Sequence, residues 1–361
     1  MRPILFTGFP GFLGSALLPR LLRDRSGEAR CVVQGRWIAE ARRRVADIEA
    51  SEPSLAGRIR LVEGDITRPA AGLSDAAATL DGVEEIFHLA AVYDLTVGED
   101  VAQAINVTGT RHMLEVAERC PTLRRFHHVS TCYVSGRFEG VFREDDLDVG
   151  QSFKNHYEQT KFLAEVEVRR TMEGGLPATV YRPAVVVGDH DTGATRKLDG
   201  PYMFIRLIVR QGRVALLPVS GKPDRARVNI VPRDFVVEAL ATLSRMARSR
   251  GRTYHLADAA PETVGAMLDA VARAAGSRLI RVPVPLGIAK AAIRWLPGVA
   301  RLTGVPAEAL DYYLHLGRYD VTHLREDLAG TGIEAPPFDS YVAALVRFVR
   351  AHPELGAEAM V

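Results

Sequence analysis

The chain has 361 residues, 47% of them hydrophobic, and a formal charge of +2. That length and composition suit two intimately joined domains around a large core and exclude a disordered chain. A near-balanced charge with scattered arginines gives no ground for nucleic-acid binding. Cys31, Cys120 and Cys132 lack paired spacing, so they suggest neither a disulfide framework nor a metal site and read as buried thiols.

A short apolar strand, Ile4-Leu5-Phe6, runs into Gly8, Gly11 and Gly14 and then into Ala16, Leu17, Leu18, Leu21 and Leu22 at helical spacing. Such a strand-turn-helix lets backbone amides and the positive end of a helix meet a pyrophosphate, with glycine where a side chain would block its approach. The spacing is one residue longer than the standard dinucleotide pattern. Pro19 fits the helix badly, since proline in a helix interior costs about 3 kcal/mol. The apolar start is too short for a signal peptide and is interrupted by the glycine turn, so a cytoplasmic location is expected.

Arg30 to Gln34 reads as the second strand. Where a dinucleotide fold using NAD places an acid on the ribose, this chain has Gly35-Arg36, and Arg36 suits a 2′-phosphate. Arg43 and Arg44 read as a solvated helix face. Ile59 to Ile66 is the third strand and its exit, and Asp65 there either meets a cofactor or caps the turn toward Arg68-Pro69. Glu85 to Ala91 is the fourth strand, with small residues after it that leave room across the sheet edge. Asn106 to Cys120 reads as a helix and Phe126 to Ser130 as the fifth strand.

That strand ends in Ser130-Thr131-Cys132-Tyr133, and a helix beginning near Asn155 carries Tyr157 and Lys161 four residues apart on one face. A cation beside a phenol favours the phenolate and lowers its pKa, which makes a proton donor for a developing alkoxide. Ala178 to Gly188 is the sixth strand, and Thr253 to Leu256 the last. Between them Gly200 to Val209 makes an amphipathic helix. Leu286 to Leu302 is apolar, but Lys290, Arg294, Pro297 and Arg301 exclude a membrane span, leaving a core or substrate-covering helix.

Taken together, Thr7-Gly8-x-x-Gly11-x-x-Gly14, Gly64-Asp65-Ile66-Thr67, His88-Leu89-Ala90-Ala91, Asn106 to Thr110, His128-Val129-Ser130-Thr131, Tyr157-x-x-x-Lys161, Arg182-Pro183 and Val228 to Asp234 resemble the extended short-chain dehydrogenase/reductases. Within them the chain is similar to the branch of fatty acyl-CoA reductases and terminal thioester reductase domains. The resemblance implies an α/β fold: a doubly wound Rossmann-type parallel sheet over 1–188 and 226–257. A smaller, discontinuous, mainly helical substrate domain over 189–225 and 258–361 is implied beside it.

The same resemblance makes Thr131 the hydrogen-bond donor to the substrate oxygen and Tyr157 the general acid. Lys161 would lower the pKa of Tyr157 and hold the nicotinamide ribose. NADPH is the implied cofactor, contacted by Thr7, Gly8, Phe9, Pro10, Gly11, Phe12, Leu13, Gly14, Arg36, Asp65, Ile66, Leu89, Ala90, Ala91, Asn106, Ser130, Tyr157, Lys161, Pro183, Ala184 and Val185. Asp65 would meet the adenine, and Pro183 and Val185 would approach the carboxamide. Cys132 raises an acyl-cysteine route, discounted because no thiol-activating base is evident nearby. Arg225 and Arg227 either meet a phosphate of the acyl carrier or lie in a solvated loop.

The expected activity is hydride transfer to a carbonyl, foremost an acyl thioester giving aldehyde, with alcohol as the further product of a second hydride. A ketone, aldehyde or hydroxysteroid reductase is the alternative; an NAD-dependent nucleotide-sugar epimerase and a non-catalytic NADPH sensor rank below it. The expected partner is a hydrophobic acyl substrate, with peripheral membrane contact left open.

Overall fold

The apolar run near the start of the chain forms β1 (Ile4–Thr7), every residue of which is buried, as a parallel strand covered on both faces requires. The computed structural model describes residues 2–93, 97–196, 198–295, 310–311 and 316–356. After β1 come α1 (Phe12–Arg23), β2 (Ala29–Val33), α2 (Ile38–Ser51), β3 (Ile59–Glu63), α3 (Ala76–Leu80) and β4 (Glu85–His88). α4 (Glu99–Ala102) passes through a π-helical turn, Gln103–Thr108, into α5 (Gly109–Glu118), followed by β5 (Arg125–Val129) and β6 (Gly140–Phe142). α6 (His156–Glu173), β7 (Ala178–Pro183), β8 (Val185–Val187), α7 (Pro201–Gln211), β9 (Val214–Val219), β10 (Ile230–Pro232) and α8 (Arg233–Arg245) come next. The later elements are β11 (Thr253–Leu256), α9 (Val264–Ala275), β12 (Arg278–Pro283), α10 (Leu286–Trp295) and β13 (Gly317–Tyr319), with helices Thr322–Leu328 and Phe338–Ala351 after them.

Seven strands pair in parallel in the order β11-β7-β5-β4-β1-β2-β3, the doubly wound sheet expected from the sequence. Strand order reverses between β1 and β4, where Thr7 lies beside His88, and a crevice outside the carboxyl ends opens at such a point. Alternation along β1 sends Ile4 and Phe6 into a core with Leu17, Leu18, Leu21, Leu22 and Leu240. Leu5, between them, faces Ile86, Met113, Phe126 and Val168 on the other side. Pro19 is buried inside α1 and the helix runs through it. The burial of those leucines offsets its cost.

Several boundaries differ from the sequence reading for identifiable reasons. The expected strand from 178 to 188 is two: Pro183 has no N–H to extend the ladder, and β8 leaves the sheet to pair with β10. The expected helix from Asn106 begins in the π-turn, and Gly109 opens α5 where a Cβ would lie 2.8 Å from Ile66 Cδ1. The parallel pairs β9 with β12 and β6 with β13 join segments distant in the chain. A second core combines Leu198, Tyr202, Ile205 and Leu217 with Val264, Leu268, Tyr341 and Leu345, whereas Tyr319, Val321, Leu324 and Leu328 pack on the sheet side.

Of the two readings of Leu286 to Leu302, a core or a substrate-covering helix, α10 does not fit the first: it buries none of its residues, and Trp295 is 81% exposed. The rest of that stretch, 296–302, which includes Pro297 and Arg301, lies outside the described residues. No described helix is long and apolar enough to cross a membrane.

Candidate active site

The turn after β1 is shaped by what glycine omits. Gly8 has φ +91°, and a Cβ there would sit 2.8 Å from Leu89 Cβ and 2.9 Å from the Ala90 amide. At Gly11 and Gly14 a Cβ would fall 2.7 Å and 2.4 Å from the Gly8 carbonyl oxygen. Phe9 is buried beneath the turn, and Phe12 and Leu13 begin α1. Gly11 is the N-cap and brings no side chain to cap the helix. A helix start leaves its first amides without intrahelical partners, an arrangement that suits a diphosphate.

Thr7 ties the turn to β4. Its Oγ1 lies 2.9 Å from His88 Nδ1 and accepts the Leu89 and Ala90 amides at 3.2 Å each. His88 Nε2 lies 3.1 Å from Thr110 Oγ1, which donates its own proton to the Asn106 carbonyl at 2.6 Å. Thr110 must therefore accept from Nε2–H, leaving Nδ1 to accept from the Thr7 hydroxyl. Burial, with Lys161 nearby, holds the imidazole neutral by pushing its pKa down to about 3.

Thr131 stands at the exit of β5, where its hydroxyl accepts the Tyr133 amide at 3.2 Å and meets the Tyr157 phenol. Tyr157 is the second residue of α6, and the helix start is secured by Asn155, whose Oδ1 accepts the Glu158 amide at 3.0 Å. Glu158 and Lys154, both buried, close the same corner at 3.2 Å. Lys161 lies one turn further on and donates from Nζ to the Val129 carbonyl at 2.8 Å. Hydroxyl, phenol and ammonium thus converge on the end of β5, two strands from the glycine turn.

The lowered phenol pKa expected from the lysine spacing is corrected. Burial pushes Tyr157 up to about 12, opposed by the Thr131 hydrogen bond and reinforced by Glu158. Lys161 does not reverse this because its ammonium is drawn to Val129, and burial lowers its own pKa to about 8 against the pull of Glu165. Such a pair can offer a proton without losing it beforehand.

Other sequence-selected residues have mostly structural partners. Ser130 donates its hydroxyl to Glu165 at 2.6 Å. Asn106 is buried, its amide group exchanging bonds with the Val92 backbone and donating to Thr160 at 3.0 Å. Asp65 accepts from the Thr67 amide and hydroxyl at 2.9 and 2.7 Å, the turn cap foreseen as one reading. Burial opposes its charge, but the Thr67 and Gln34 hydrogen bonds hold its pKa below the usual value. Ile66 is buried, and Leu89, Ala90 and Ala91 are half-buried along the exit of β4. Pro183 and Ala184 are buried, and the Val185 amide donates to Asn229 at 3.0 Å. Arg36 is exposed on the turn after β2, bonded to Gln34 at 3.0 Å and over the Trp37 ring at 5.6 Å. Arg43 pairs with Glu40 at 2.8 Å, whereas Arg44 is only partly solvated: its Nε is buried and without a hydrogen bond. Arg225 is exposed and Arg227 bonds the Pro261 carbonyl. Cys132 donates to the Arg182 carbonyl at 3.0 Å, and burial holds its pKa well above the thiol value, so it is no ready nucleophile.

Two features escaped the sequence reading. Arg196, from the segment after β8, donates to the Pro10 carbonyl at 2.5 Å and lies 3.4 Å from Glu40 of α2, strapping the glycine turn from above. Buried Arg182 grips buried Glu165 at 2.6 Å beneath Ser130. Only Arg182-Pro183, quoted as a motif, hinted at the second.

A family model described as Male sterility protein, an NAD-binding family, matches residues 6–240. The chain belongs to this family. It is an NAD(P)-dependent reductase of the extended short-chain dehydrogenase/reductase type. The terminal R domain from the myxalamid PKS-NRPS biosynthetic pathway superposes with a TM-score of 0.81 at 28% identity, over 99% of this chain and 93% of that one. Carboxylic acid reductase of Mycobacterium tuberculosis is 29% identical over 300 residues, 73% of this reductase but 25% of the relative. A 3 beta-hydroxysteroid dehydrogenase/Delta 5-->4-isomerase of Mycobacterium tuberculosis is 28% identical over 343 residues, 90% of this reductase and 85% of the relative. The reductase spans only part of several curated relatives it matches, 5% of one and 56% of another.

Proposed function

We propose that this reductase uses NADPH to reduce an acyl thioester to an aldehyde, with Thr131, Tyr157 and Lys161 as its catalytic residues. The observation that carries the reading is the Thr131–Tyr157 hydroxyl pair at the end of β5, two strands from the glycine cradle, in a chain of this family. The cofactor domain is 1–188 with 226–257, and the substrate domain is 189–225 with 258–361. The cradle suits a dinucleotide because Gly8, Gly11 and Gly14 let the turn close tightly on its own backbone and on β4, where a Cβ would collide with Leu89 or the Gly8 carbonyl. Gly11 to Gly14 would hold the diphosphate and Asp65 would meet the adenine. Val185 would approach the nicotinamide carboxamide, and the nicotinamide would supply the hydride when bound.

The chain's own residues handle the oxygen. Thr131 donates to the thioester carbonyl oxygen, and Tyr157, as general acid, gives its proton to that oxygen as negative charge develops and takes it back as the carbonyl reforms. As the carbonyl reforms, the carbon–sulfur bond breaks and the sulfur leaves with its electron pair and takes up a proton from solvent, so thiol and aldehyde are released together. The sum is thioester, NADPH and one proton giving aldehyde, thiol and NADP⁺. The raised phenol pKa keeps the Tyr157 proton in place throughout the working range. Lys161, charged below about pH 8, supplies positive charge beneath the site.

Lys161 sets the expected pH dependence. Its folded pKa is depressed, so the ammonium is present below about 8 and lost as pH rises through that value. The kcat/KM profile should therefore fall on the alkaline side of about pH 8 and show no limb from the phenol below about 12. In Lys161→Arg the residual activity should lack that alkaline limb, because a guanidinium stays charged. An unchanged limb would remove Lys161 from the mechanism.

Arg36 on the turn after β2 is assigned to the 2′-phosphate. Arg36→Asp should weaken NADPH binding by about 1.5–3 kcal/mol and leave NADH nearly unaffected, as read by fluorescence titration of each cofactor. Equal native affinities for NADPH and NADH would refute that role.

The reading takes an aliphatic acyl chain as substrate, for which each buried methylene gains about 0.8 kcal/mol; the apolar side of α7 itself is filled by the second core. Incubation with NADPH and acyl-CoAs of increasing length should release free thiol and trappable aldehyde, faster as the chain lengthens. A second reading, a ketone or hydroxysteroid reductase, is favoured by the steroid dehydrogenase relative that matches over 90% of this chain. Absence of thiol at every length, with brisk reduction of a ketosteroid, would establish that alternative.

A further inference from the structure

Two distant stretches meet in the β9–β12 ribbon and share a composition. Residues 206–223 hold four arginines and lysines, residues 276–295 hold four more, and neither stretch contains an aspartate or glutamate. Leu216 lies beside Ile280 in register, and Pro218 beside Val282. Strand alternation turns Ala215 and Leu217 into the second core and leaves Val214 at 48%, Leu216 at 53%, Ile280 at 40% and Val282 at 42% exposure. The ribbon therefore presents an apolar outer face.

α10 follows β12 after two residues and continues that character. It buries no residue, and Ile288 and Trp295 are 61% and 81% exposed. Lys290 and Arg294 stand four apart on the same helix. Some cations in the region are neutralised internally: Arg281 by Asp224 and Asp269, and Lys290 by Asp311. Arg213 and Arg278 are exposed at the start of the ribbon, where the Arg278 amide donates to the Arg213 carbonyl at 2.8 Å. Neither has an ion-pair partner among the described residues.

We infer that the outer face of the β9–β12 ribbon and α10 rests on a membrane surface bearing anionic lipid. Ile288, Trp295, Leu216 and Ile280 enter the boundary between headgroups and acyl chains, while Arg213 and Arg278 meet lipid phosphates. A short amphipathic helix with cations on one side and a tryptophan at its end has the chemistry of an interfacial helix. Tryptophan gains there from an apolar ring beside a wet N–H. Single-sign charge over two separate stretches matches a continuous negative surface. The surface stands apart from the reading of the reaction, so failure of either leaves the other testable.

The test uses the full chain and sedimentation with vesicles of phosphatidylcholine alone, or with about a third phosphatidylglycerol. Binding should favour the anionic vesicles about tenfold or more and weaken with salt. Arg213→Glu with Arg278→Glu should reduce it about tenfold or more, and Ile288→Ser with Trp295→Ser by a similar factor. NADPH affinity should stay unchanged in both pairs, which verifies folding. In a Trp37→Phe protein, Trp295 emission should shift to the blue on adding anionic vesicles. No preference for anionic vesicles, or variants that bind like the parent, would overturn the inference. So would a parent that ignores vesicles but binds an acidic acyl-carrier protein through these same residues.

Discussion

Tyr157→Phe is expected to lower kcat by about 10²–10⁴-fold, the range for loss of a positioned proton donor, while NADPH affinity changes by less than about twofold. The ring remains wedged at the start of α6, whose cap is made by Asn155 and whose corner is closed by Lys154 and Glu158, so the fold has no reason to shift. Only the hydroxyl bonded to Thr131 is removed. Steady-state turnover with the best acyl-CoA and fluorescence titration of NADPH check the two halves separately. A variant turning over at near-native rate would end the assignment of Tyr157 as the acid. One that loses cofactor affinity as much as rate would make it a binding residue.

The largest stability effect should come from Glu165→Ala. Glu165 and Arg182 are both fully buried, 2.6 Å apart, and Glu165 also accepts from Ser130 and from Arg169 at 3.1 Å. Burial alone would raise the carboxyl pKa. The Arg182 charge and hydrogen bonds, with help from Arg169 and Ser130, reverse that and hold it down to about 2. Removing the carboxylate leaves an uncompensated guanidinium in the core, which costs about 3–5 kcal/mol. Urea unfolding at neutral pH measures it. The folded pKa is depressed, so the contribution is complete above the ordinary carboxylate value near 4.5 and is lost as pH falls toward about 2. The difference between parent and variant should shrink across that window. A loss below about 1 kcal/mol at neutral pH would show that Arg182 is satisfied by His255 and the backbone oxygens of Glu144 and Asp146 alone.

What could be read from the sequence was whatever a local pattern encodes. The glycine turn, the strand alternation and the Tyr157–Lys161 spacing each lie within a few residues, and a helix or a strand exit converts such spacing directly into geometry. The long-range partners were out of reach. Ser130 and Glu165 are 35 residues apart and Pro10 and Arg196 are 186 apart, and no pattern in either segment announces the other. The phenol pKa was misjudged for a related reason: the spacing gives the neighbour's charge, but burial is a property of the whole fold and here outweighs it. The choice left open for α10 could not be made from sequence, because an apolar helix looks the same whether it faces a core or a surface.

The most direct measurement of the central claim is a single turnover of an acyl-CoA with NADPH carrying deuterium at the transferred position. The account predicts aldehyde with one deuterium on its carbonyl carbon, formed in equal amount with free thiol and NADP⁺. Thiol release with no deuterium in the carbonyl product, the signature of hydrolysis, would contradict it.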